Sequence, residues 1–400
     1  MKRILFVDDD PGILDGIRRM LHADRDRWEM EFVLGGEAAL EACARNSFDV
    51  VVSDMRMPSM DGVTFLTHMR DRYPATARIV LSGHCAVEAS TRVIPVAHRF
   101  LAKPCSSKDL QGAIEGVCVL QELLSRPELC RVVGSIGQLP ALSTTYTALS
   151  KAVMNPETPI TKIAEIIEKD MAVSAKVLQL VNSAFFGLAQ KVTTLRSAVS
   201  YLGMDTIKDL VLVTETVRVF VPDKRIPPST HQHLQAHAQR VAQIAGTLPV
   251  DPRLRDVTIL AALLHNIGRL IFASRLPDQF CATLALANHL GCPVHEAEEQ
   301  LLGISHAEAG AYLLGLWGIP HIAVEAIAHY LHPTRVPHSS FDSSLALYVA
   351  NLLAGTPPKD DGSPSSDLDE SHRRCLEELG ILNRLPEFRE LAHQAKQHKE

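Results

Sequence analysis

The first part of the chain, up to about residue 120, alternates short apolar runs with segments of helical periodicity. Runs rich in Val, Ile and Leu predict strands at Ile4–Val7, Met30–Leu34, Val50–Ser53, Ile79–Leu81 and Phe100–Ala102. Apolar residues three and four apart predict helices between them, at Ile13–Leu21, Ala38–Arg45, Val63–Arg72 and Val87–Val93, with another from Ser106. This alternation predicts an α/β domain over residues 1–122, with a doubly wound, parallel, five-stranded sheet.

The pattern changes after about Leu124, where helical periodicity replaces the strand pattern. An all-α domain is predicted over residues 136–355, joined to the first domain by a linker or helix extension at 123–135. The polar run 356–369 predicts a flexible loop, and 370–400 a C-terminal helical extension that either docks back or extends freely. The predicted helices are Ile160–Glu168, Ser174–Val181, Ala198–Leu202, Thr206–Val219, His233–Thr247, Asp256–Phe272, His295–Leu302, Ala307–Trp317, Ile322–Tyr330 and Ser343–Leu353.

Composition narrows the class of protein. The 400-residue chain is 46% hydrophobic and 22% charged with a net charge of -6, so it lacks the overall basic character typical of a duplex-binding protein. Its eight cysteines are scattered without a CxxC pair, which favours reduced thiols over a zinc knuckle or a disulfide framework. No signal peptide is recognised, and no stretch approaches the roughly 20 apolar residues of a membrane span. We therefore expect a cytoplasmic protein.

Polar side chains follow four of the predicted strands, where chemistry gathers in an open parallel sheet. Asp8 and Asp9 follow the first strand, Asp54 the third, Ser82 the fourth and Lys103 the fifth. Clustered carboxylates suit Mg²⁺, which prefers oxygen ligands, and an aspartate can attack phosphorus to form an acyl phosphate. Each residue alone would fit a helix cap or an ordinary turn. Their joint placement favours a site that accepts a phosphoryl group.

Three segments closely resemble the receiver domain of two-component response regulators: ILFVDDDP at Ile4–Pro11, DMRMPSMDG at Asp54–Gly62 and FLAKP at Phe100–Pro104. The resemblance covers about the first 120 residues. It implies a flavodoxin-like fold and phosphorylation of Asp54 by a sensor histidine kinase. It also implies Mg²⁺ bound by Asp9, Asp54, the backbone carbonyl of Arg56 and, through water, Asp8, with Lys103 paired to the phosphoryl group, Ser82 as the switch hydroxyl and Phe100 as the switch aromatic residue.

In the helical domain, a succession of histidines resembles the metal set of the HD phosphohydrolase superfamily. The succession is His237, His265–Asn266, His306 and Asn351, with asparagine in both places where that family has aspartate. An amide oxygen is neutral and binds a cation more weakly than a carboxylate does. Hydrolysis would also need a metal-activated water. We therefore expect no metal here, and we expect His265 to be a packed core residue.

A narrower resemblance is to the HDOD domain, an HD-related output module. It rests on LPAL at Leu139–Leu142, IEKDMAVSAKVL at Ile167–Leu178, VNSAFFG at Val181–Gly187 and AVSYLG at Ala198–Gly203, within roughly residues 130–335. Members are generally regarded as regulatory or scaffolding modules without a common enzymatic activity. The resemblance implies an output domain that is not an enzyme, needs no cofactor and acts through protein interactions.

Two other functions remain as alternatives. One is a receiver-controlled, metal-dependent phosphohydrolase that acts on a nucleotide or cyclic dinucleotide, against which Asn266 and Asn351 speak. The other is a DNA-binding transcription factor, for which no basic recognition helix is found. The sequence leaves open the cognate kinase, the downstream protein target, a homodimeric state and a small ligand of the helical domain.

Overall fold

The computed structural model describes residues 1–82, 96–123, 158–182, 191–203, 229–355 and 370–397, with single or paired residues between 133 and 226. Contacts divide the chain into two compact units. The first is Met1–Ile167, Ala172–Val221 and Tyr312–Ile319, and the second is Glu168–Met171, Pro222–Ala311 and Pro320–Glu400. Several predicted segments lie wholly or largely outside the described residues: Val87–Val93, 123–135, Leu139–Leu142, Thr206–Val219 and 356–369.

The first unit contains a five-stranded sheet in which every neighbouring pair is parallel, in the order β2-β1-β3-β4-β5. Its central strands read as continuous apolar runs because both faces are covered, and Phe6 on β1 and Val51 on β3 are fully buried. This confirms the predicted fold class. The strands are β1 Lys2–Asp8, β2 Trp28–Leu34, β3 Val50–Asp54, β4 Ala77–Ser82 and β5 Arg99–Ala102.

Two of the helices that flank the sheet begin with an aspartate cap. The Asp10 carboxylate accepts from the Gly12 amide, and the Asp61 carboxylate accepts from the Thr64 amide. Asp10 therefore starts the helix after β1, as an ordinary cap would, and the two aspartates before it stay at the sheet edge. The helices of this part are α1 Pro11–Met20, α2 Gly36–Arg45, α3 Gly62–Arg72 and α4 Ser107–Leu123.

The described chain after Leu123 is mostly helical, as predicted, and no strand occurs in its described residues. The helices are α5 Ile160–Ile167, α6 Met171–Val181, α7 at 195–203, α8 Thr230–Ala245, α9 Arg255–Leu264, α10 Ile267–Arg275, α11 Pro277–Leu290, α12 Val294–Leu302, α13 His306–Leu316, α14 His321–His329, α15 Ser343–Gly355, α16 Glu370–Glu378 and α17 Leu385–Gln397.

Two helical predictions need correction. The single predicted helix Asp256–Phe272 is two helices, α9 and α10, which break at His265–Asn266. The His265 imidazole Nδ1 hydrogen-bonds the Ala262 carbonyl at 2.6 Å, near the end of α9. Helix α11 was not predicted. By length and composition the stretch Arg255–Arg275 could cross a membrane, but most of it is buried inside the protein, as in a core helix.

The C-terminal extension docks on the second unit, which decides between the two expected arrangements. Helix α17 packs against α8 and α15. Leu376 and Phe388 are fully buried, and the Phe388 ring stacks on Phe341 with centroids 4.9 Å apart. The extension is therefore part of the folded helical unit.

Candidate phosphorylation site and buried histidine cluster

The two carboxylates of the candidate site lie on neighbouring strands at one edge of the sheet. Asp8 is the last residue of β1 and Asp54 the last of β3. β1 pairs with β2 on one side and with β3 on the other, so the chain departs in opposite directions after these two strands. Such a switch point leaves a crevice at the carboxyl ends of the strands. Asp8 and Asp54 are only 2% and 8% exposed, so their charges need close partners.

Lys103, which directly follows β5, supplies the positive charge between these carboxylates. Its ammonium Nζ donates to Asp8 Oδ2 at 2.6 Å and to Asp54 Oδ1. Burial alone would lower the pKa of Lys103, but the hydrogen bonds and charges of Asp54 and Asp8 outweigh it and raise that pKa. The ammonium thus stays charged and offsets one of the two carboxylate charges.

Backbone amides hold the remaining carboxylate oxygens. The Arg56 amide donates to Asp54 Oδ2 at 2.6 Å, and the Asp10 amide donates to Asp8 Oδ1 at 3.0 Å. With Lys103 on the other oxygen, each carboxylate is fixed at both ends. Asp54 therefore presents its carboxylate in one orientation at the mouth of the crevice.

Gly62 is a positioning residue that the sequence analysis did not single out. It opens α3, and a Cβ built on it would lie 2.1 Å from the Asp54 carbonyl oxygen and 2.9 Å from the Met55 Cα. Its own amide donates to the Met55 carbonyl at 3.0 Å. A side chain here would push the start of α3 away from Asp54. The Asp61-Gly62 pair just before a helical segment was the available sequence clue.

Asp9 lies beside the carboxylate pair, exposed to solvent. It lines an open pocket of about 510 Å³ together with Arg56 and Asp61. Within the described residues, no three His, Cys, Asp or Glu side chains are arranged to hold a metal by themselves. Mg²⁺ commonly uses one or two carboxylates and completes its shell with water and phosphate oxygens. The hard oxygen donors at this edge fit that mode of binding.

The other predicted receiver residues are only partly described. Ser82 ends β4, the strand next to β3, and Phe100 is the second residue of β5. Their side chains lie outside the described part of the structure. Their expected switch roles stay predictions.

In the second unit, the predicted His237 and Asn266 lie together. The Asn266 amide nitrogen donates to His237 Nδ1 at 3.1 Å, and the His237 and His265 rings are 5.4 Å apart. Burial lowers the pKa of His237 to about 4 and that of His265 to about 3, so both imidazoles are neutral at neutral pH. His265 is fully buried, as expected for a core residue.

His306 joins this cluster through Tyr330, whose ring centroid lies 5.4 Å from that of His265, and it also contacts Glu298; the sequence analysis identified neither as a site residue. Its Nδ1 donates to Glu298 Oε2 at 2.6 Å, and its Nε2 is 2.9 Å from the Tyr330 hydroxyl. Burial tends to raise the pKa of Glu298, but the bonds to His306 outweigh it and lower that pKa. Asn351 is half-buried on α15, and no hydrogen bond among the described residues joins it to the cluster. No local pattern marks Glu298 or Tyr330 in the sequence.

Comparison with known families assigns both parts of the chain. The family model of the response regulator receiver domain matches residues 4–115, and that of the HDOD domain matches residues 139–333. Among solved structures, a virulence factor from Campylobacter jejuni is similar over 67% of this chain and 100% of that chain, with a TM-score of 0.50 and 23% identity. At this identity the likeness shows the fold alone.

Curated relatives match only part of their own length. An uncharacterized protein of Treponema pallidum is 25% identical over 213 residues, which is 52% of this chain and 40% of that protein. The transcriptional regulatory protein TrcR of Mycobacterium tuberculosis is 28% identical over 126 residues, 31% of this chain and 48% of that protein. The chain thus spans less than half of each relative. The two family matches show that this chain combines a response regulator receiver domain with an HDOD domain, the architecture that its sequence predicts.

Proposed function

We propose that this protein is a two-component response regulator that is phosphorylated on Asp54 by a histidine kinase and acts through protein contacts of its HDOD domain. The observation that carries the proposal is the contact of Lys103 with both Asp8 and Asp54 at the carboxyl edge of the sheet. A nucleophilic carboxylate, a second carboxylate and a fixed cation are the groups that phosphoryl transfer to aspartate needs.

The transfer forms one bond and breaks one. An Asp54 carboxylate oxygen attacks the phosphorus of a phosphohistidine whose other ring nitrogen carries a proton. The phosphorus–nitrogen bond breaks, its electron pair stays on nitrogen, and a neutral imidazole leaves. The Arg56 amide keeps the carboxylate from rotating, and Lys103 pairs with the transferred phosphoryl oxygens. Mg²⁺, held by Asp9, Asp54, the Arg56 carbonyl and, through water, Asp8, would neutralise phosphoryl charge.

Labelling of the full chain with a radioactive small phosphodonor tests the site. We expect the wild-type protein to take up Mg²⁺-dependent label that hydroxylamine removes, as it does from an acyl phosphate. Asp54→Asn should abolish this label. Asp26→Asn changes an aspartate that is 89% exposed and should leave the label intact. Undiminished label on Asp54→Asn would refute the assignment of the acceptor.

For the HDOD domain, we propose a regulatory role without hydrolytic activity. The His237 Nδ1 lone pair already accepts a hydrogen bond from the Asn266 amide and so is not available to a metal. At that position a metal ion would also face a neutral amide, where the HD family has a carboxylate. We expect less than stoichiometric transition metal in the full chain purified without chelator, and no hydrolysis of nucleotides or cyclic dinucleotides. Stoichiometric metal with turnover would instead establish the phosphohydrolase alternative. Partner capture that differs between beryllofluoride-treated wild type and Asp54→Asn would identify the downstream protein.

A further inference from the structure

The connection between α14 and α15, residues 330–342, is called the strap. It lies wholly in the second unit. Its first residue is Tyr330, whose hydroxyl is 2.9 Å from His306 Nε2 in the buried histidine cluster. A short helix, Pro333–Arg335, turns the chain in the strap and contacts α15, and most residues beyond it are half-buried or exposed. The strap therefore starts inside the cluster and runs along the surface to α15.

His338 bridges the two ends of this surface part of the strap. Its Nε2 is 2.8 Å from the Pro333 carbonyl oxygen, and its Nδ1 is 2.7 Å from Asp342 Oδ2. A carbonyl oxygen and an ionised carboxylate both accept hydrogen bonds and donate none. An imidazole that donates from both nitrogens must carry two protons. The geometry therefore calls for His338 as the charged imidazolium.

Loss of one proton from His338 leaves a bare ring nitrogen facing an oxygen lone pair. The His338 side chain is 8% exposed, so water has little access to replace the lost bond. Asp342 cannot easily turn away, because its other carboxylate oxygen accepts from the Ser344 and Leu345 amides and caps α15. A neutral His338 therefore finds a second partner only if the strap moves.

A second histidine fixes the strap to α12. His332 Nε2 is 2.7 Å from Glu299 Oε1, and Arg335 Nη2 is 3.7 Å from Glu299 Oε2. The His295 ring of α12 stands edge-on to that of His332, and burial lowers the pKa of His295 to about 4, so that ring is neutral. A hydrogen bond between His332 and a carboxylate is stronger when the imidazole is charged. A rise in pH thus weakens this contact in the same direction.

The other charged groups around His338 do not take over its role. Burial lowers the pKa of His329 on α14, and the charges of Arg335 and His338 lower it further, against Glu325 and Glu308. Helix α15 has no Asp, Glu, Lys, Arg or His in its sequence. Among the described residues, Asp342 is the carboxylate hydrogen-bonded to His338. The charge of His338 therefore decides whether this bridge holds.

We propose that the strap is a proton-sensitive closure of the second unit, which the His338 imidazolium holds shut and which opens when His338 loses a proton as the pH rises. Histidine is the side chain whose charge ordinarily changes between about pH 5 and 8. Because the closed strap binds the extra proton, closure is favoured at the lower pH and lost at the higher one. Opening loosens the Tyr330 contact with His306. The second unit then responds to protons through a site separate from Asp54.

Hydrogen exchange in the full chain tests the strap. The His332 and Arg335 amides donate to the His329 and His332 carbonyls, so their protection reports the closed state. After correction for the intrinsic pH dependence of exchange, we expect this protection to fall about tenfold between about pH 6 and 8.5. In ¹⁵N-histidine-labelled wild type, NMR should show two protonated ring nitrogens on His338 at the lower pH and one at the higher pH.

Two conservative variants separate the proton from the fold. His338→Gln keeps a donor for the Pro333 carbonyl but does not titrate, so protection should be low and independent of pH. Asp342→Asn keeps the cap of α15 and offers an amide donor to the bare nitrogen of neutral His338, so protection should stay high at both pH values. His321→Gln is the matched control: His321 faces Glu325 at the same spacing along the chain but is 84% exposed, so the wild-type response should remain.

The outcomes decide between a proton-sensitive strap and a structural loop. Protection in wild type that does not change with pH, or a His338 ring with a single proton at the lower pH, would overturn the proposal. A wild-type pH response in His338→Gln would also overturn it, because another group would then carry the response. Reduced protection at both pH values in Asp342→Asn would show that the His338 bridge only stabilises the loop. If His338→Gln does not fold, Asp342→Asn and the NMR of wild type still decide.

Discussion

Replacing Lys103 by methionine should show how strongly the stability of the acidic edge depends on the Lys103 ammonium. The variant leaves Asp8 and Asp54 facing each other with side chains that are 2% and 11% exposed. Breaking a fully buried pair by removing one partner costs about 3–5 kcal/mol. The Lys103 side chain is 22% exposed, so part of its interaction is screened and we expect a loss of about 2–3 kcal/mol.

Calorimetry of the full chain in chelator measures this loss, as a fall of roughly 8–12 °C in the transition that unfolds the receiver domain. Mg²⁺ should then stabilise Lys103→Met more than wild type, because the cation no longer competes with an ammonium for the same oxygens. Lys162→Met, which breaks an exposed pair with Glu165, should stay within about 0.5 kcal/mol of wild type. Equal stability of the two variants, or a weaker Mg²⁺ response in Lys103→Met, would refute this account of the site.

Three further predictions concern the rest of the fold. Burial holds the pKa of His265 at about 3, against the ordinary value of 6.5, so the unfolded chain binds more protons than the folded one between these pH values. The contribution of neutral His265 to the free energy of unfolding is therefore complete above pH 6.5. It is lost as the pH falls below 6.5, by up to about 1.4 kcal/mol per pH unit. His265→Phe should flatten that slope in calorimetry at a series of pH values, and an unchanged slope would contradict it. Gly268→Ala would place a Cβ 1.8 Å from a backbone carbonyl of α13 and should lower the free energy of unfolding in urea by about 2–4 kcal/mol. The control Gly112→Ala, with open space around the new Cβ, should be neutral or stabilising by up to about 1 kcal/mol. Similar values for the two variants would disprove the close approach at Gly268. Phe388→Ala should cost about 3–5 kcal/mol by the same assay if the C-terminal extension is part of the core, and no cost would mean that it only rests on the surface.

The receiver fold and the meeting of its charged residues could be predicted because both follow from local pattern and a topological rule. Strands buried on both faces read as apolar runs, and parallel strands bring their carboxyl ends to one edge. Asp8, Asp54 and Lys103 are 46 and 49 residues apart along the chain, yet each directly ends or follows a strand. Their contact therefore depended only on strand order, which the family motif also implied.

The helical part was less predictable because its polar contacts join helices that are distant in sequence. The break between α9 and α10 has no proline or glycine at His265–Asn266 to mark it. The contacts of His306 with Glu298 and Tyr330 lie among apolar residues of three different helix regions, so periodicity assigns these positions to a core without naming partners. Helix α11 buries a narrow stripe, Phe280, Thr283 and Ala287, and so shows little amphipathic contrast.

In the described sheet of the first unit, the short edge strand β5 has a cationic residue at each end. Lys103 follows its carboxyl end and contacts the candidate phosphoryl acceptor, while Arg99 begins it and contacts the end of a helix from the HDOD match. The charges at both ends are cationic, but their partners differ: carboxylates whose charge phosphorylation would change, and carbonyls whose charge it would not. Phosphorylation of Asp54 would therefore change the charge that Lys103 faces and leave the carbonyl partners of Arg99 unchanged.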